Sequence, residues 1–170
     1  MKIESFTAPA PIDIGHDVGA FNSGVPSLDE WLQKRALKNE KSSASRTYVT
    51  CFENKVAGYY CLSAGAVALQ AAPGKLTRNM PDPVPVLVMG RLAIDRKYQN
   101  NGLGKALLLD AARRTLQAGE IAGVAALLVH ALSEDVKRFY LSRGFLESPI
   151  QPMTLCLRLA DAREILQYGK

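Results

Sequence analysis

The chain has 170 residues, and much of what it lacks is informative. It has three cysteines, Cys51, Cys61 and Cys156, which cannot all pair and which show no metal-ligand spacing. Each lies in an apolar, strand-like run, so buried reduced thiols are expected and no metal site is. There are only two histidines. His16 lies between Gly15 and Gly19, where a solvated ring is expected. His130 lies in an apolar run, where a satisfied core ring is expected, so neither reads as a general base. No run approaches the ~18 apolar residues that a membrane span needs. No basic stretch followed by an apolar one opens the chain, so no secretory leader is expected and a cytoplasmic location follows. Repeats, low-complexity tracts and interdomain linkers are missing, and so are helix-turn-helix and zinc-finger patterns. Acids are in the minority: 16 Asp and Glu against 21 Lys and Arg give a net charge of +5.

What is present is a soluble composition, 48% hydrophobic, sufficient for one domain with its own core over residues 1–170. Its most informative stretch is residues 96–105, Arg-Lys-Tyr-Gln-Asn-Asn-Gly-Leu-Gly-Lys. It follows an apolar run at residues 84–94 and precedes a helical pattern at residues 103–116. Strand, glycine-bearing turn and helix start leave backbone N–H groups at the positive end of a helix dipole, a seat for phosphate. At Gly102 and Gly104 a Cβ would hold an anion away from the backbone. The spacing is not that of a Walker loop, because Ala106 follows Gly104-Lys105 where a Ser or Thr would serve magnesium. Nor is it a dinucleotide fingerprint, because Leu107 stands where the third glycine belongs.

A second element lies further on. Residues 124–131 read as a buried strand, and Ser133 caps a helix with Glu134 and Asp135 in its first turn. That helix stops at Gly144. Gln99-x-x-Gly102-x-Gly104, together with Phe139-Tyr140-x-x-x-Gly144-Phe145, resembles the pyrophosphate loop and tyrosine element of the GNAT acetyltransferases. The resemblance implies that residues Gln99, Asn100, Asn101, Gly102, Leu103, Gly104 and Lys105 hold the diphosphate of coenzyme A. It also implies that backbone N–H groups of Leu92, Ala93 and Ile94 bind the pantetheine arm and the thioester oxygen. Tyr140 then sits beside the coenzyme sulfur. A phenol with a pKa near ~10 stays protonated at neutral pH and can donate to a departing thiolate, which makes Tyr140 the candidate general acid.

The remaining patterns place these motifs. Residues 29–39 read as an amphipathic helix with Ser27 as N-cap, an apolar stripe of Leu28, Leu32 and Ala36, and Lys34, Lys38 and Lys41 on another side. Residues 46–52 and 56–62 read as a hairpin around residues 53–55. Residues 71–85 hold four of the nine prolines and read as a loop. Residues 153–159 alternate as a last strand, and residues 161–167 close the chain as a helix. The expected class is α/β (α+β mixed): a twisted, mixed, mostly antiparallel sheet flanked by helices.

Charge bears on the acceptor. Simple amine substrates are cations and call for acidic pockets. Lys137, Arg138 and Arg143 outnumber Glu134 and Asp135 around the tyrosine helix, with Arg78 and Arg91 upstream. A basic face favours an amine carried on a polyanion, as in aminoacyl-tRNA. An aminoacyl ester amine is more acidic than the ~8 of a free α-amine and far more so than lysine at ~10.4, so it is substantially neutral without a base.

Phe21-Asn22-Ser23-Gly24, Leu28-Asp29-Glu30-Trp31-Leu32, Gly90-Arg91-Leu92-Ala93-Ile94-Asp95, Leu127-Leu128-Val129-His130-Ala131, Ser148-Pro149 and Met153-Thr154-Leu155 are similar to elements of the GNAT toxins of bacterial toxin–antitoxin modules. The likeness runs over nearly the whole chain. It implies acetylation of the amino group of aminoacyl-tRNA, with Lys34, Lys38, Arg78 and Arg91 as tRNA contacts. It further implies a ribbon-helix-helix antitoxin as partner and a homodimer. Asn100 departs from the usual glycine, but asparagine tolerates left-handed angles. Rival readings are an acetyltransferase for protein N-termini or small amines, a non-catalytic module that binds coenzyme A or a partner protein, and a nucleic-acid-binding protein with no enzymology, which the missing helix-turn-helix and zinc spacings disfavour.

Overall fold

The computed structural model describes residues 5–168. In chain order the elements are β1 (Ala10–Pro11), α1 (Pro26–Lys34), α2 (Ala36–Ser42), β2 (Arg46–Phe52), β3 (Lys55–Val67), α3 (Gly74–Thr77) and β4 (Val84–Ile94). There follow α4 (Leu103–Ile121), β5 (Ala126–His130), α5 (Glu134–Ser142), β6 (Leu146–Glu147), β7 (Thr154–Arg158) and α6 (Leu159–Tyr168). Seven strands form one mixed sheet in the order β1-β2-β3-β4-β5-β7-β6. β4 and β5 run parallel, whereas β1–β2, β2–β3, β5–β7 and β7–β6 are antiparallel. This is the mixed sheet with helices that the patterns predict. Among the described residues, no helix is long and apolar enough to cross a membrane.

Two compact units divide the chain. The first comprises the chain up to Ser63 together with Gly90–Asp110; the second comprises Ala64–Met89 together with the chain from Ala111 onward.

In the first unit the β2–β3 hairpin closes on Glu53 and Asn54, whose φ values of 50° and 68° are those of a two-residue turn twisted to match the strands. Gly58 leaves room for side chains of β4 and α4, since a Cβ there would lie 2.8 Å from Ile94 Cδ1 and 3.1 Å from Leu107 Cδ1. Leu28, Trp31, Leu32 and Ala36 bury one helical face against Val49, Val56, Tyr59 and Ala93. The helix expected over residues 29–39 is two helices here. Pro26 starts α1, because its fixed φ and missing N–H suit a first helical position, so Ser27 is inside the helix rather than its cap. Arg35, at φ −116°, breaks the run before α2 begins. Lys34 and Lys38 therefore stand on different helices.

Fully buried Tyr60 donates its hydroxyl proton to Asp110 Oδ2 at 2.5 Å. Tyr60→Phe removes one partner from a buried carboxylate and is expected to cost about 1–3 kcal/mol, read as a lowered urea midpoint at unchanged slope.

The second unit packs Val67, Ala71, Ala72 and Leu76 on Val84, Val86, Ala126, Leu128 and Cys156. The segment expected as a loop at residues 71–85 contains the one-turn helix α3, whose Leu76 is buried in this cluster. β7 carries Leu155, Cys156 and Leu157 into the core, and Arg158 ties to Asp161 of α6 through Nε and Nη2 at 2.8 and 2.9 Å. All three cysteines are free and buried, and burial pushes the Cys156 thiol up to about 11.

Candidate active site

The first unit carries the glycine-bearing turn. β4 hands the chain to a short 3-10 turn at Arg96–Tyr98, capped by Asp95, whose Oδ1 accepts from the Lys97 N–H at 2.9 Å. Tyr98 packs edge-on to Phe6 at 5.4 Å and against Phe52 at 5.7 Å, with Leu103 and Ile94 in the same cluster. The turn is thus seated on aromatic core. Asn100 and Gly102 then take left-handed angles, φ 66° and 81°, so asparagine does at the first position what glycine does at the second. The Asn101 amide donates to the carbonyls of Tyr98 and Gln99 at 3.0 and 3.3 Å.

The hydrogen-bond ladder of α4 opens with the Ala106 N–H donating to Gly102 O at 3.0 Å. The N–H groups of Leu103, Gly104 and Lys105 lie ahead of it, at the positive end of a 19-residue helix. A Cβ built on Gly104 meets nothing within 4 Å, so this face is open to an approaching group. Backbone donors, a helix dipole and an unobstructed approach fit a diphosphate. Gln99 is turned the other way: its amide donates to Ser23 O at 3.2 Å and Ile94 O at 3.0 Å. Its exposed side chain ties the turn to residue 23 and to the end of β4.

β4 supplies the other half of the expected cofactor site. Its parallel register with β5 runs from Val86↔Ala126 to Met89↔Val129, and Gly90–Ile94 continue beyond it. Ala93 is in the first unit's core, while Leu92 and Ile94 are half-buried. A strand that outruns its neighbour has backbone groups available for a ligand arm.

Tyr140 belongs to the second unit. Ser133 Oγ accepts from the Val136 N–H at 3.2 Å, so α5 has the cap and the acidic first turn read from the sequence. Gly144, at φ +96°, ends it. Tyr140 is 5% exposed, with its ring 5.4 Å from that of Phe139 and 5.1 Å from that of Phe145. Burial alone pushes its phenol above the ordinary tyrosine value, so it keeps its proton at any pH a cell offers.

The charged candidates divide. Lys38 and Arg78 are exposed. Lys34 is also exposed but pairs with Glu30 at 2.8 Å. Arg91 is half-buried, with its guanidinium carbon 4.5 Å from the centre of the Trp31 ring. The basic face expected around α5 is thinner than its sequence suggests. Lys137 is buried and paired with Glu147 at 2.5 Å, Arg138 pairs with Asp135, and Arg143 lies over the Phe139 ring at 5.5 Å. Lys137 is neutralised by a strand residue ten positions away, which helix periodicity cannot reveal.

Both histidines depart from expectation. His130 is exposed at the end of β5 rather than in the core, with Nδ1 3.0 Å from Thr154 Oγ1. His16 is half-buried rather than solvated, and its Nδ1 accepts from the Asp13 N–H at 3.0 Å. The residue that sequence reasoning missed is Asp95. In the sequence it closes a strand motif, but in the structure it is a buried carboxylate accepting from two backbone N–H groups, including Asn22 N–H at 3.0 Å.

A strand leading into a left-handed, glycine-bearing turn, an open helix start and a buried tyrosine on a later helix agree with what comparison finds. Residues 16–145 match the acetyltransferase (GNAT) family, and the chain belongs to that family of N-acetyltransferases, which use acetyl-CoA. It is 47% identical over 164 residues to the tRNA-acetylating toxin of Mycobacterium tuberculosis (strain ATCC 25618 / H37Rv), covering 96% of this chain and 99% of that one. The AtaT structure complexed with acetyl-methionyl-tRNAfMet superposes with a TM-score of 0.86 at 26% identity, covering 97% of this chain and 99% of AtaT. A tyrosine-to-phenylalanine mutant of the AtaT toxin, bound to the C-terminus of the antitoxin AtaR and acetyl-CoA, gives a TM-score of 0.80. That comparison covers 98% of this chain and 99% of the other at 24% identity, and it speaks for the fold.

Proposed function

We propose that the protein is a toxin that transfers the acetyl group of acetyl-CoA to the α-amino group of aminoacyl-tRNA and so withholds that tRNA from translation. The observation that carries this reading is the end-to-end similarity to a tRNA-acetylating toxin. It is supported by a phosphate-ready helix start in one unit and a buried, protonated phenol in the other.

In this reading acetyl-CoA supplies an activated acyl group on a thioester. Residues 99–105 bind its diphosphate through backbone N–H groups, and Gly104 leaves the space. Leu92, Ala93 and Ile94 align the pantetheine arm and polarise the thioester oxygen with backbone N–H groups. Tyr140 holds a proton at its hydroxyl oxygen and delivers it to the departing sulfur as the C–S bond breaks, and the proton shed by the newly acylated nitrogen balances the one the phenol gave up. The acceptor amine of an aminoacyl ester is largely neutral at cellular pH, so no residue needs to remove a proton before attack.

Arg78, Arg91, Lys34 and Lys38 are the proposed tRNA contacts. Lys38 and Arg78 are exposed for the purpose, and Trp31 holds Arg91 in place. Lys34 would exchange Glu30 for a phosphate, a small loss because exposed pairs contribute little. We further propose one GNAT domain over residues 1–170, with β3 and β4 each continuing from one unit into the other. The protein acts in the cytoplasm as a homodimer and is neutralised by a ribbon-helix-helix antitoxin.

The test is transfer of labelled acetyl from acetyl-CoA to bulk charged tRNA, with uncharged tRNA as control. Label on charged tRNA alone, together with growth arrest on expression without an antitoxin, is the expected result. Sequencing the labelled species then names the isoacceptor. Bound acetyl-CoA with no label on charged tRNA would move the acceptor to a peptide N-terminus or a small amine.

A further inference from the structure

Asp95 has an environment that chain geometry alone does not require. It is 6% exposed, and its carboxylate lies where two separate segments meet inside the first unit. Oδ2 accepts from the Asn22 N–H at 3.0 Å, and Oδ1 accepts from the Lys97 N–H at 2.9 Å. Two further bonds join the same segments: Arg96 N–H donates to Asn22 O at 2.8 Å, and the Gln99 amide donates to Ser23 O at 3.2 Å. Ser23 is fixed in turn, since both its N–H and its hydroxyl donate to Asp29 of α1, at 2.9 and 2.6 Å. The fit is tight: Gly24 has φ +91°, and a Cβ there would lie 2.7 Å from Arg96 Nε.

We infer that Asp95 is a positioning residue for the cofactor loop: it clamps residues 22–23 to the turn at 96–98 and thereby sets the direction in which residues 99–105 present their N–H groups. The inference deepens the proposed function and rests on its assignment of that loop to the diphosphate. The physical argument concerns stiffness. Asn100 and Gly102 hold left-handed angles, and such a turn keeps one shape only when its flanks are held. Downstream, α4 holds it. Upstream, the 3-10 turn is a single turn, too short to be rigid by itself. Tyr98, packed on Phe6 and Phe52, holds the far end of that turn, and the carboxylate holds its start, because a carboxylate with two N–H donors is bound more strongly than a neutral acceptor would be. The same clamp ties the segment ahead of α1 to the loop, so hydrogen bonds through residues 22–23 and Asp29 link the helix bearing Lys34 to the diphosphate seat within this unit.

The experiment compares wild type, Asp95→Asn and Asp95→Ala by calorimetric titration with acetyl-CoA, by steady-state kinetics and by amide hydrogen exchange. The expected result is a Kd and KM for acetyl-CoA raised about tenfold or more in Asp95→Ala, with kcat at saturating acetyl-CoA within about twofold of wild type. Asp95→Asn keeps one acceptor oxygen and should fall between. Exchange at the amides of both Asn22 and Lys97 should quicken in Asp95→Ala, and at one of the two in Asp95→Asn, while those of β5 and β7 stay protected. A residue that merely supported the fold would lower the melting temperature and leave the Kd of the folded protein untouched. A Kd within about twofold of wild type in either folded variant overturns the inference and leaves the cofactor loop standing. So does a fall in kcat at unchanged KM. If Asp95→Ala does not fold, the isosteric Asp95→Asn decides. Failure of the wild type to bind acetyl-CoA would sink the loop assignment itself, and this inference with it.

Discussion

Replacing Tyr140 with phenylalanine is expected to lower kcat for acetyl transfer by roughly 10²–10⁴-fold, the usual contribution of a positioned general acid. Acetyl-CoA affinity and stability should remain near those of wild type. The change deletes one oxygen from a ring that already sits between Phe139 and Phe145, so phenylalanine fits the space and loses no packing. A cell expressing the variant without antitoxin should grow as if uninduced. The pH profile supplies a second check. Burial raises the phenol above its ordinary value, so the neutral, proton-bearing form persists as pH rises through about 10. Between about pH 6 and 9 the wild-type rate should therefore rise as the acceptor amine loses its proton and then level off, without a falling limb from Tyr140. Full activity in Tyr140→Phe would remove the tyrosine from the mechanism. A falling limb near pH 8 in the wild type, absent from the variant, would mean that the phenol ionises far more readily than its burial allows.

The parts of this site that could be read from sequence are those built by neighbours in the chain. The turn at residues 96–105 is specified locally: an apolar strand, two positions that tolerate left-handed angles and a helix start, all between residues 84 and 105. The same holds for Ser133, whose hydroxyl caps the N–H three positions on, and for Gly144 at the end of the same helix. The β2–β3 hairpin is equally local, and its turn residues take the angles that its two-residue length demands.

What escaped was set by distant partners or by elements too short to leave a pattern. Asp95 meets Asn22 across 73 residues, and nothing in either segment announces the other. β1 and β6 are two residues each, below any periodicity. Charge misleads for a related reason. Counting Lys137, Arg138 and Arg143 as a basic face treats each charge as solvated, whereas Lys137 is buried on Glu147 and Arg143 is half-buried over Phe139. The case for a tRNA acceptor therefore rests less on the field around α5 and more on Lys38, Arg78 and the relatives. The single helix expected over residues 29–39 shows a subtler failure. Its apolar stripe was read correctly, because burial of Leu28, Leu32 and Ala36 survives a break between Lys34 and Ala36. The lysine row did not survive, since Lys34 ends α1 while Lys38 and Lys41 lie on α2, beyond the break at Arg35.

Gly104→Ala is expected to move stability and binding in opposite directions. Gly104 lies in the first turn of α4, and alanine is the better helix former by up to about 1 kcal/mol, less so near an end. Its new methyl group meets nothing within 4 Å, so the free protein has no clash to offset that gain. The melting temperature should rise by about 1–3 °C. Acetyl-CoA affinity should fall by about tenfold or more, because the methyl group occupies the space through which the diphosphate reaches the N–H groups. Gly104→Val should bind more weakly still. Gly102→Ala is the control: at φ 81° an L side chain costs about 1–2 kcal/mol, so that variant should lose stability and affinity together. Calorimetry of the free proteins, paired with titration of acetyl-CoA, separates the two cases. If Gly104→Ala bound acetyl-CoA as well as wild type, the open face of α4 would not be where the diphosphate lies. A site that binds through backbone atoms is defined by the side chain it omits, and only a variant that stabilises the fold while weakening the ligand can tell that omission from ordinary helix damage.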